Sequence, residues 1–504
     1  MTSRQAAASS PRSVFRSILQ ASSLYSLALI VPRIVSVLLL PVITRLLTRA
    51  DYGILDLLEQ VGLVLALLLG AGFASGLGFF YFRADSPENR RRVVGTTMLG
   101  AAGIGLLAAA ISWPFAGQLS RLVFRTDQTR SYLQLVMFSL PFSFLLEALF
   151  GWVRVENRPG VFVVASLLRV TATTAGIVVF LAMFGLHVWG MLFATLTAIL
   201  LTAAFLGVYC VRTARPLFDV RLFGQMARFS APIGLGALAV FIMNFGDRLI
   251  LPHYITFDDQ GVYALAYKIG MLVSFVYTSF HVYWSAQVFQ IMGRDDSETI
   301  FARILTYVVG GISFCGLALI VLTPPVFRIL VPPAFRGASA LVPIIVIAYC
   351  IRSLGDFFRC LFVALGKPGY EATSNWLGAA VCLVAYALLI PRYGVWGAAG
   401  ATVGAFVVMA IVSVIWTYRL KPYRVEAGRL LKVGIALSAS VLSFTFVQAS
   451  SLPAQVASAM LALLLFPAVL LVSRFPTPGE FEILREAGHF LTRRLPAGAR
   501  GGNG

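Results

Sequence analysis

The sequence has little charge for its length. Charged residues make up 12% of its 504 residues and hydrophobic residues 59%, whereas soluble domains contain roughly 25% charged residues. So few charges cannot cover a water-facing surface, which excludes a chain of soluble domains. A lipid-facing surface can be built from this composition, so we predict a membrane protein.

Cysteine and histidine are also scarce, with five and four residues respectively. Each cysteine lies in or beside an apolar run, and none forms a CxxC motif or a metal-ligand spacing with histidine. No paired carboxylates or nucleophile–base spacing stands out. We therefore predict no metal, no cofactor and no catalytic residue, and thus a protein that is not an enzyme.

The first twenty residues lack the apolar core and the small-residue cleavage site of a removable signal. Residues 1–20 carry three arginines and are expected to form a short cytoplasmic arm. The remaining basic residues, which bring the net charge to +19, lie in short segments between apolar runs. There they are expected to set topology and to meet anionic lipid headgroups, not nucleic acid.

Long apolar runs dominate what remains, and a helix needs about 20 such residues to cross the hydrocarbon. We count about fourteen spans by that rule. They are predicted near residues 21–46, 54–82, 93–116, 131–153, 161–184, 187–211, 226–250, 262–291, 301–323, 338–363, 372–391, 395–418, 430–449 and 453–473. The runs are too long for the alternating strands of a membrane barrel. The predicted fold class is an all-α polytopic membrane protein.

Lysine and arginine are unevenly divided between the two sets of connections. With the N-terminus inside, the cytoplasmic connections hold roughly three times as many as the outer ones. The positive-inside rule therefore places both termini in the cytoplasm and the protein in the inner membrane. In the tail, 475–504, apolar and charged residues alternate, which indicates either an interfacial amphipathic helix or a disordered polar segment.

Two stretches of the chain resemble each other. Both the run from Pro32 and the run from Pro232 place a proline early in a helix, then an arginine, an acidic turn and a glycine opening the next helix. Gly53 and Gly261 are about 200 residues apart, the length of six spans, so the repeats are parallel and not inverted. We predict an N-lobe at 21–211, a C-lobe at 226–418, each of six helices, and a trailing helix pair at 430–473.

These motifs resemble the polysaccharide flippases, the Wzx-type branch of the multidrug/oligosaccharidyl-lipid/polysaccharide exporter superfamily. The resemblance rests on Pro32-Arg33, Pro41, Thr44 to Leu47 and Asp51 to Ile54 in the first repeat, and on Asn244, Asp247-Arg248 and Gly261 to Lys268 in the second. It implies two lobes that rock around a central cavity. The implied cargo is an undecaprenyl-pyrophosphate-linked oligosaccharide, moved from the cytoplasmic to the outer leaflet for surface polysaccharide biosynthesis, with glycosyltransferases and a glycan polymerase as partners.

Basic residues inside the predicted spans support an anionic cargo. A charge at the bilayer centre costs about 2.5–3.5 kcal/mol, so it usually faces a cavity or a partner. We predict that Arg33, Lys268 and Arg352 line a cavity and attract the pyrophosphate, with Arg359 on the same helix face as Arg352. Alternatively, Arg352 pairs with Asp356 one turn away, and Lys268 extends to the outer interface.

Acidic residues within spans are candidates for coupling to protons or sodium, if transport does not use the membrane potential alone. They are Asp56, Glu59, Glu147 and Asp356. Structural ion pairs, such as Asp56 with Arg45 or Arg49, explain them equally well.

Two other functions remain open. A small-molecule or drug exporter of the same superfamily would share the twelve-helix core but is expected to lack the last helix pair. A membrane-embedded glycan polymerase would need an extended outer loop with catalytic residues, and no connection here exceeds about 20 residues.

Overall fold

The computed structural model describes residues 31–32, 34–70, 73–447 and 451–476. Within them the chain is helical throughout, and twelve helices are long and apolar enough to cross a membrane. One of these, Pro368–Leu420, is two helices joined at Gly394, where φ is 55° and ψ is −128°. With the shorter apolar helix Ile34–Leu46, this gives fourteen helices. The predicted fold class is confirmed.

We number the helices in chain order. They are α1 Ile34–Leu46, α2 Arg49–Leu69, α3 Pro87–Phe124, α4 Arg130–Val155, α5 Pro159–Met183, α6 His187–Ala214, α7 Val220–His253, α8 Phe257–Ser285, α9 Ser297–Leu330, α10 Ala338–Ala364, α11 368–393, α12 395–420, α13 Ala427–Phe446 and α14 Leu452–Val472. We call the side that carries the α1–α2 and α7–α8 connections the predicted outer face.

One predicted span differs from the structure. The apolar run at 54–82 was taken as one helix, but α2 ends at Leu69 and a separate short helical segment follows at Phe73–Phe82. The break falls at Gly70, in a glycine-rich stretch where the backbone entropy lost on helix formation is largest.

The helices form two groups and a trailing pair. Buried residues of α2 to α6 form shared apolar clusters, whereas a second set of clusters joins α7 to α12. The α13–α14 pair packs on α9 through Val433, Ala436, Ala462 and Phe466 against Leu317 and neighbouring residues. The arrangement is that of two six-helix lobes with a C-terminal pair at the edge of the second.

The two repeats begin their second helices in the same way. Thr48 and Thr256 cap α2 and α8, and their hydroxyls accept hydrogen bonds from the backbone N–H of Asp51 at 3.0 Å and of Asp259 at 3.2 Å. Threonine is favoured here because its oxygen satisfies one of the unpaired N–H groups of the first turn. The cap lies five residues before Gly53 and Gly261 respectively, so the sequence repeat is also a structural one.

These two glycines meet where α2 crosses α8. A Cβ atom on Gly53 would lie 2.3 Å from the carbonyl oxygen of Phe257, and one on Gly261 would lie 2.0 Å from that of Arg49. Only glycine allows two helix backbones to approach so closely. The crossing therefore holds the lobes together at the predicted outer face.

On the opposite face, the α6–α7 connection lies against the start of α3. Leu217 N–H donates to the Arg91 carbonyl at 3.1 Å, and Arg92 lies 3.5 Å from Asp219. Hydrogen bonds from the backbone N–H groups of Leu222 and Arg221, with the Arg92 guanidinium, hold the pKa of Asp219 below its usual range. The connection between the lobes is thus anchored to the first lobe.

Candidate functional site

A cavity of about 770 Å³ lies on the side of the first lobe that faces the second lobe. Its walls are contributed by α1, α2, α4, α5 and α6, with α7 and α8 of the second lobe closing one side. Along α4 the lining residues recur every three or four positions, at Val136, Ser139, Ser143 and Glu147. This is the spacing of one helix face, so a single face of α4 forms one wall.

The cavity is closed toward the predicted outer face by a buried ion pair between the lobes. Arg248 on α7 lies 2.5 Å from Asp56 on α2, and the two side chains are only 6% and 9% exposed. Gln260 on α8 donates to the second Asp56 oxygen at 3.2 Å. The neighbouring Asp247 accepts from the Tyr263 hydroxyl and from the Arg248 backbone N–H.

Lys268 on α8 lines the cavity next to the Asp56–Arg248 ion pair. Its ammonium interacts with the Tyr52 hydroxyl and with the carboxylates of Glu59 and Asp56. Glu59 follows Asp56 by three residues on α2, so both lie on the face of α2 that lines the cavity. Lys268 therefore lines the cavity. The alternative interpretation had placed its side chain at the outer interface, where the structure does not place it.

Two further charges lie on the neighbouring helices α4 and α5. Arg169 lies in the middle of α5 and Glu147 in the inner half of α4, and both side chains are exposed to the cavity. Within the described part of the chain, neither is in an ion pair, and Arg169 meets no opposite charge. An unpaired charge at this depth is costly unless water or a ligand solvates it.

The described lining therefore holds three basic and three acidic side chains. They are Arg169, Arg248, Lys268, Asp56, Glu59 and Glu147. The described part of the cavity lining is therefore of mixed charge. Because Asp56 and Arg248 neutralise each other, the accessible charges are Lys268 beside Glu59, and the separate Arg169 and Glu147.

The polar groups do not form a metal centre. Within the described residues, no group of three or more histidine, cysteine, aspartate or glutamate side chains is arranged to hold a metal ion. The lining instead offers single charges together with the hydroxyls of Ser139, Ser143 and Thr195, groups that suit an organic ligand with several polar substituents.

Comparisons with known proteins agree with this architecture. The family model described as "Polysaccharide biosynthesis protein" matches residues 42–282. The lipid III flippase of Escherichia coli (strain K12) is 22% identical over 373 residues, which cover 71% of this chain and 88% of that protein. The structure of the lipid II flippase MurJ in an inward closed conformation superposes with a TM-score of 0.74 at 13% identity, over 90% of this chain and all of MurJ.

An inward-facing multidrug resistance MATE transporter of the MOP superfamily superposes with a TM-score of 0.62 at 16% identity, over 77% of this chain and 98% of that one. The chain therefore shares the fold of these two proteins. The relatives are flippases and transporters, which agrees with the prediction that the chain is not an enzyme.

The structure places the predicted site residues in two regions. Lys268, Asp56, Glu59 and Glu147 line the cavity together. Arg33 lies outside the described residues. The pairing suggested for Asp56 was wrong, because its partner is Arg248 and not Arg45 or Arg49.

Arg352, Asp356 and Arg359 do not line this cavity. They form a cluster on α10 within the second lobe, where Asp356 lies between the two arginines, 3.7 Å from Arg352 and in direct contact with Arg359. Asn244 on α7 accepts from Arg352, and Asn375 on α11 accepts from Arg359 at 2.8 Å. The intrahelical pair considered for Arg352 is thus present, and Arg359 borders a separate cavity of about 210 Å³.

Arg169 and Arg248 were not among the predicted cavity residues. The signal for Arg169 was available, because it is a lone charge in the middle of the apolar run at 161–184. Arg248 was noted only as part of a motif at the end of a helix. Its position against Asp56, 192 residues earlier in the chain, could not be read from either segment alone.

Proposed function

We propose that this protein is a flippase that moves an undecaprenyl-pyrophosphate-linked oligosaccharide from the cytoplasmic to the outer leaflet. The observation that carries the proposal is Arg169, an unpaired cation exposed in a cavity at membrane depth. A planar guanidinium matches the oxygens of a phosphate, and no carboxylate of the described chain competes for it. Lys268 on α8 supplies a second positive charge in the lining of the same cavity.

The shape of the cavity supports alternating access. The contacts at its outer end, Asp56–Arg248 and the Gly53–Gly261 crossing, all join one lobe to the other. If the lobes rock apart there, the ion pair and the crossing separate and the cavity opens to the outer side. Rigid lobes that turn about a shared interface are a common way to expose one site alternately to two sides.

The remaining parts of the proposal concern the surroundings of the protein. The distribution of lysine and arginine supports an inner-membrane protein with both termini in the cytoplasm. The energy source is proposed to be a proton, sodium ion or membrane potential. The cargo chemistry requires glycosyltransferases to supply the substrate and a glycan polymerase or transferase to consume it.

The test is reconstitution into liposomes with a labelled undecaprenyl-pyrophosphate oligosaccharide, following its transfer between leaflets. We expect Arg169→Ala to slow transfer about ten- to hundredfold, because a hydrogen bond to a charged group contributes about 1.5–3 kcal/mol. Arg121→Ala is the matched control, since Arg121 is exposed and outside the cavity. Transfer by wild-type protein at the rate of empty liposomes would reject the proposal, and transport of small cationic drugs instead would favour an exporter.

A further inference from the structure

The wall of the cavity formed by α4 carries a stripe of polar groups. Ser139, Ser143 and Glu147 follow one another at intervals of four residues and all line the cavity. We call them the α4 polar stripe. At a rise of about 1.5 Å per residue, the stripe is about 12 Å long from Ser139 to Glu147. It lies on a different wall from Lys268 on α8 and Arg169 on α5.

Glu147 is not needed for the packing of the lobe. Its side chain is exposed to the cavity, and it forms no ion pair in the described part of the chain. The charge that acts on it is Arg154, seven residues further along the same helix. Asp56 differs from Glu147 in this respect. It is buried, and each of its carboxylate oxygens has a partner, Arg248 for one and Gln260 for the other.

The chemistry of the stripe differs from that of an anion site. A carboxylate only accepts hydrogen bonds when ionised, and a serine hydroxyl both donates and accepts. The Ser139 hydroxyl donates to the Val136 carbonyl oxygen at 2.6 Å, so toward the cavity it acts as an acceptor. Sugar hydroxyls and ammonium groups are suitable partners for such a surface, whereas a second carboxylate placed against Glu147 would be repelled. The cavity therefore combines separate cations for a phosphate with an acidic, hydroxyl-rich wall.

We infer that the α4 polar stripe is the sugar-binding wall of the cavity, and that Glu147 makes the protein select against an acidic sugar next to the pyrophosphate. The preferred cargo carries a neutral or amino sugar at that position. The inference rests on the proposed flippase function and adds the class of sugar that the site accepts. Specificity of this kind comes from an unfavourable contact with the wrong ligand as much as from a favourable contact with the right one.

The experiment uses the full chain in liposomes with three polyprenyl-pyrophosphate lipids that carry glucose, glucosamine or glucuronic acid. We expect wild-type protein to transfer the glucose and glucosamine lipids about tenfold faster than the glucuronic acid lipid, the scale of a like-charge repulsion in a wet cavity. Glu147→Gln should remove this difference by raising the rate of the glucuronic acid lipid relative to that of the glucose lipid. Glu147→Asp retains the charge and should retain the difference.

Glu88→Gln serves as the control, because Glu88 is an exposed acid at the start of α3, outside the cavity. Equal wild-type rates for all three lipids would overturn the inference and leave the flippase function standing. A Glu147→Gln protein that loses the three activities in parallel would also overturn it, since that result indicates a role in coupling or in stability. Absence of transfer of any of the lipids by wild-type protein would remove the flippase proposal itself.

Discussion

Arg248 lies 2.5 Å from Asp56 across the contact between the two lobes, and both side chains are buried. The residues come from α7 and α2, 192 positions apart in the chain. An ion pair with so little water around it depends on both members, because the charge that remains after the loss of one cannot be solvated. The pair therefore joins the two lobes in this structure.

The first prediction concerns this pair. Arg248→Met should destabilise the detergent-solubilised protein by about 3–5 kcal/mol, because Asp56 would be left as an uncompensated buried charge. The double substitution Asp56→Leu with Arg248→Met should be less destabilising than the single one. Thermal unfolding of the wild-type protein and the two variants measures this, and a double variant that is less stable than Arg248→Met would contradict the account.

The second prediction concerns the crossing of α2 and α8. Gly261→Ala should force the helices apart, since the added Cβ would lie 2.0 Å from the backbone oxygen of Arg49. A cysteine introduced at Leu55, which lines the cavity close to the crossing, should then react faster with a membrane-impermeant thiol reagent applied from the outer side. Gly404→Ala is the control, because no atom lies within 4 Å of its added Cβ. Unchanged labelling in Gly261→Ala would show that the crossing does not close the cavity.

The third prediction concerns the junction of α11 and α12. Gly394→Ala should cost about 1–3 kcal/mol, because φ of 55° with ψ of −128° is a conformation that side chains other than glycine strongly disfavour. Gly400→Ala, six residues further along a regular helix and with open space around its added Cβ, should not destabilise the protein. Equal thermal midpoints for the two variants would be inconsistent with strain at Gly394.

The fourth prediction concerns the cluster on α10. Asp356→Asn should destabilise the second lobe more than Arg352→Ala does, because it removes the carboxylate that the buried Arg359 and the half-buried Arg352 share. Arg352→Ala instead removes one of two positive charges that share a single carboxylate. Hydrogen exchange of α10 and thermal unfolding report the effect, and greater stability of Asp356→Asn would argue against an ion-pair role. The role predicted for Arg352 and Arg359 in binding cargo is tested separately, by transfer assays on Arg352→Ala.

Much of the architecture follows from local sequence. Apolar runs of about 20 residues predicted the spans, and the recurrence of proline, arginine, acid and glycine predicted the repeat. Lys268 was singled out as a cavity cation, and Asp56, Glu59 and Glu147 as acids within spans; all four side chains line the cavity. Such a charge is unfavourable in lipid, so its presence in an apolar run already indicates a wet or paired environment.

Other features depend on which helices become neighbours. The composition of a span does not determine the rotation of its helix or the identity of the facing helix, because lipid and protein interior are almost equally apolar. Hence Arg352 and Arg359, which resemble cavity cations in sequence, meet Asp356 and two asparagines within the second lobe. Arg169, which belongs to no motif, is exposed in the cavity.

The sequence by itself determined that the chain crosses the membrane many times, that it is built from two parallel repeats, and which charges lie at membrane depth. The tertiary structure alone decided the partners of those charges: Asp56 with Arg248, Arg352 and Arg359 with Asp356, and neither Arg169 nor Glu147 with any ion-pair partner in the described chain. The reason is that hydrophobic periodicity fixes where a residue lies along its own helix, whereas an ion pair between helices requires two distant segments to pack side by side.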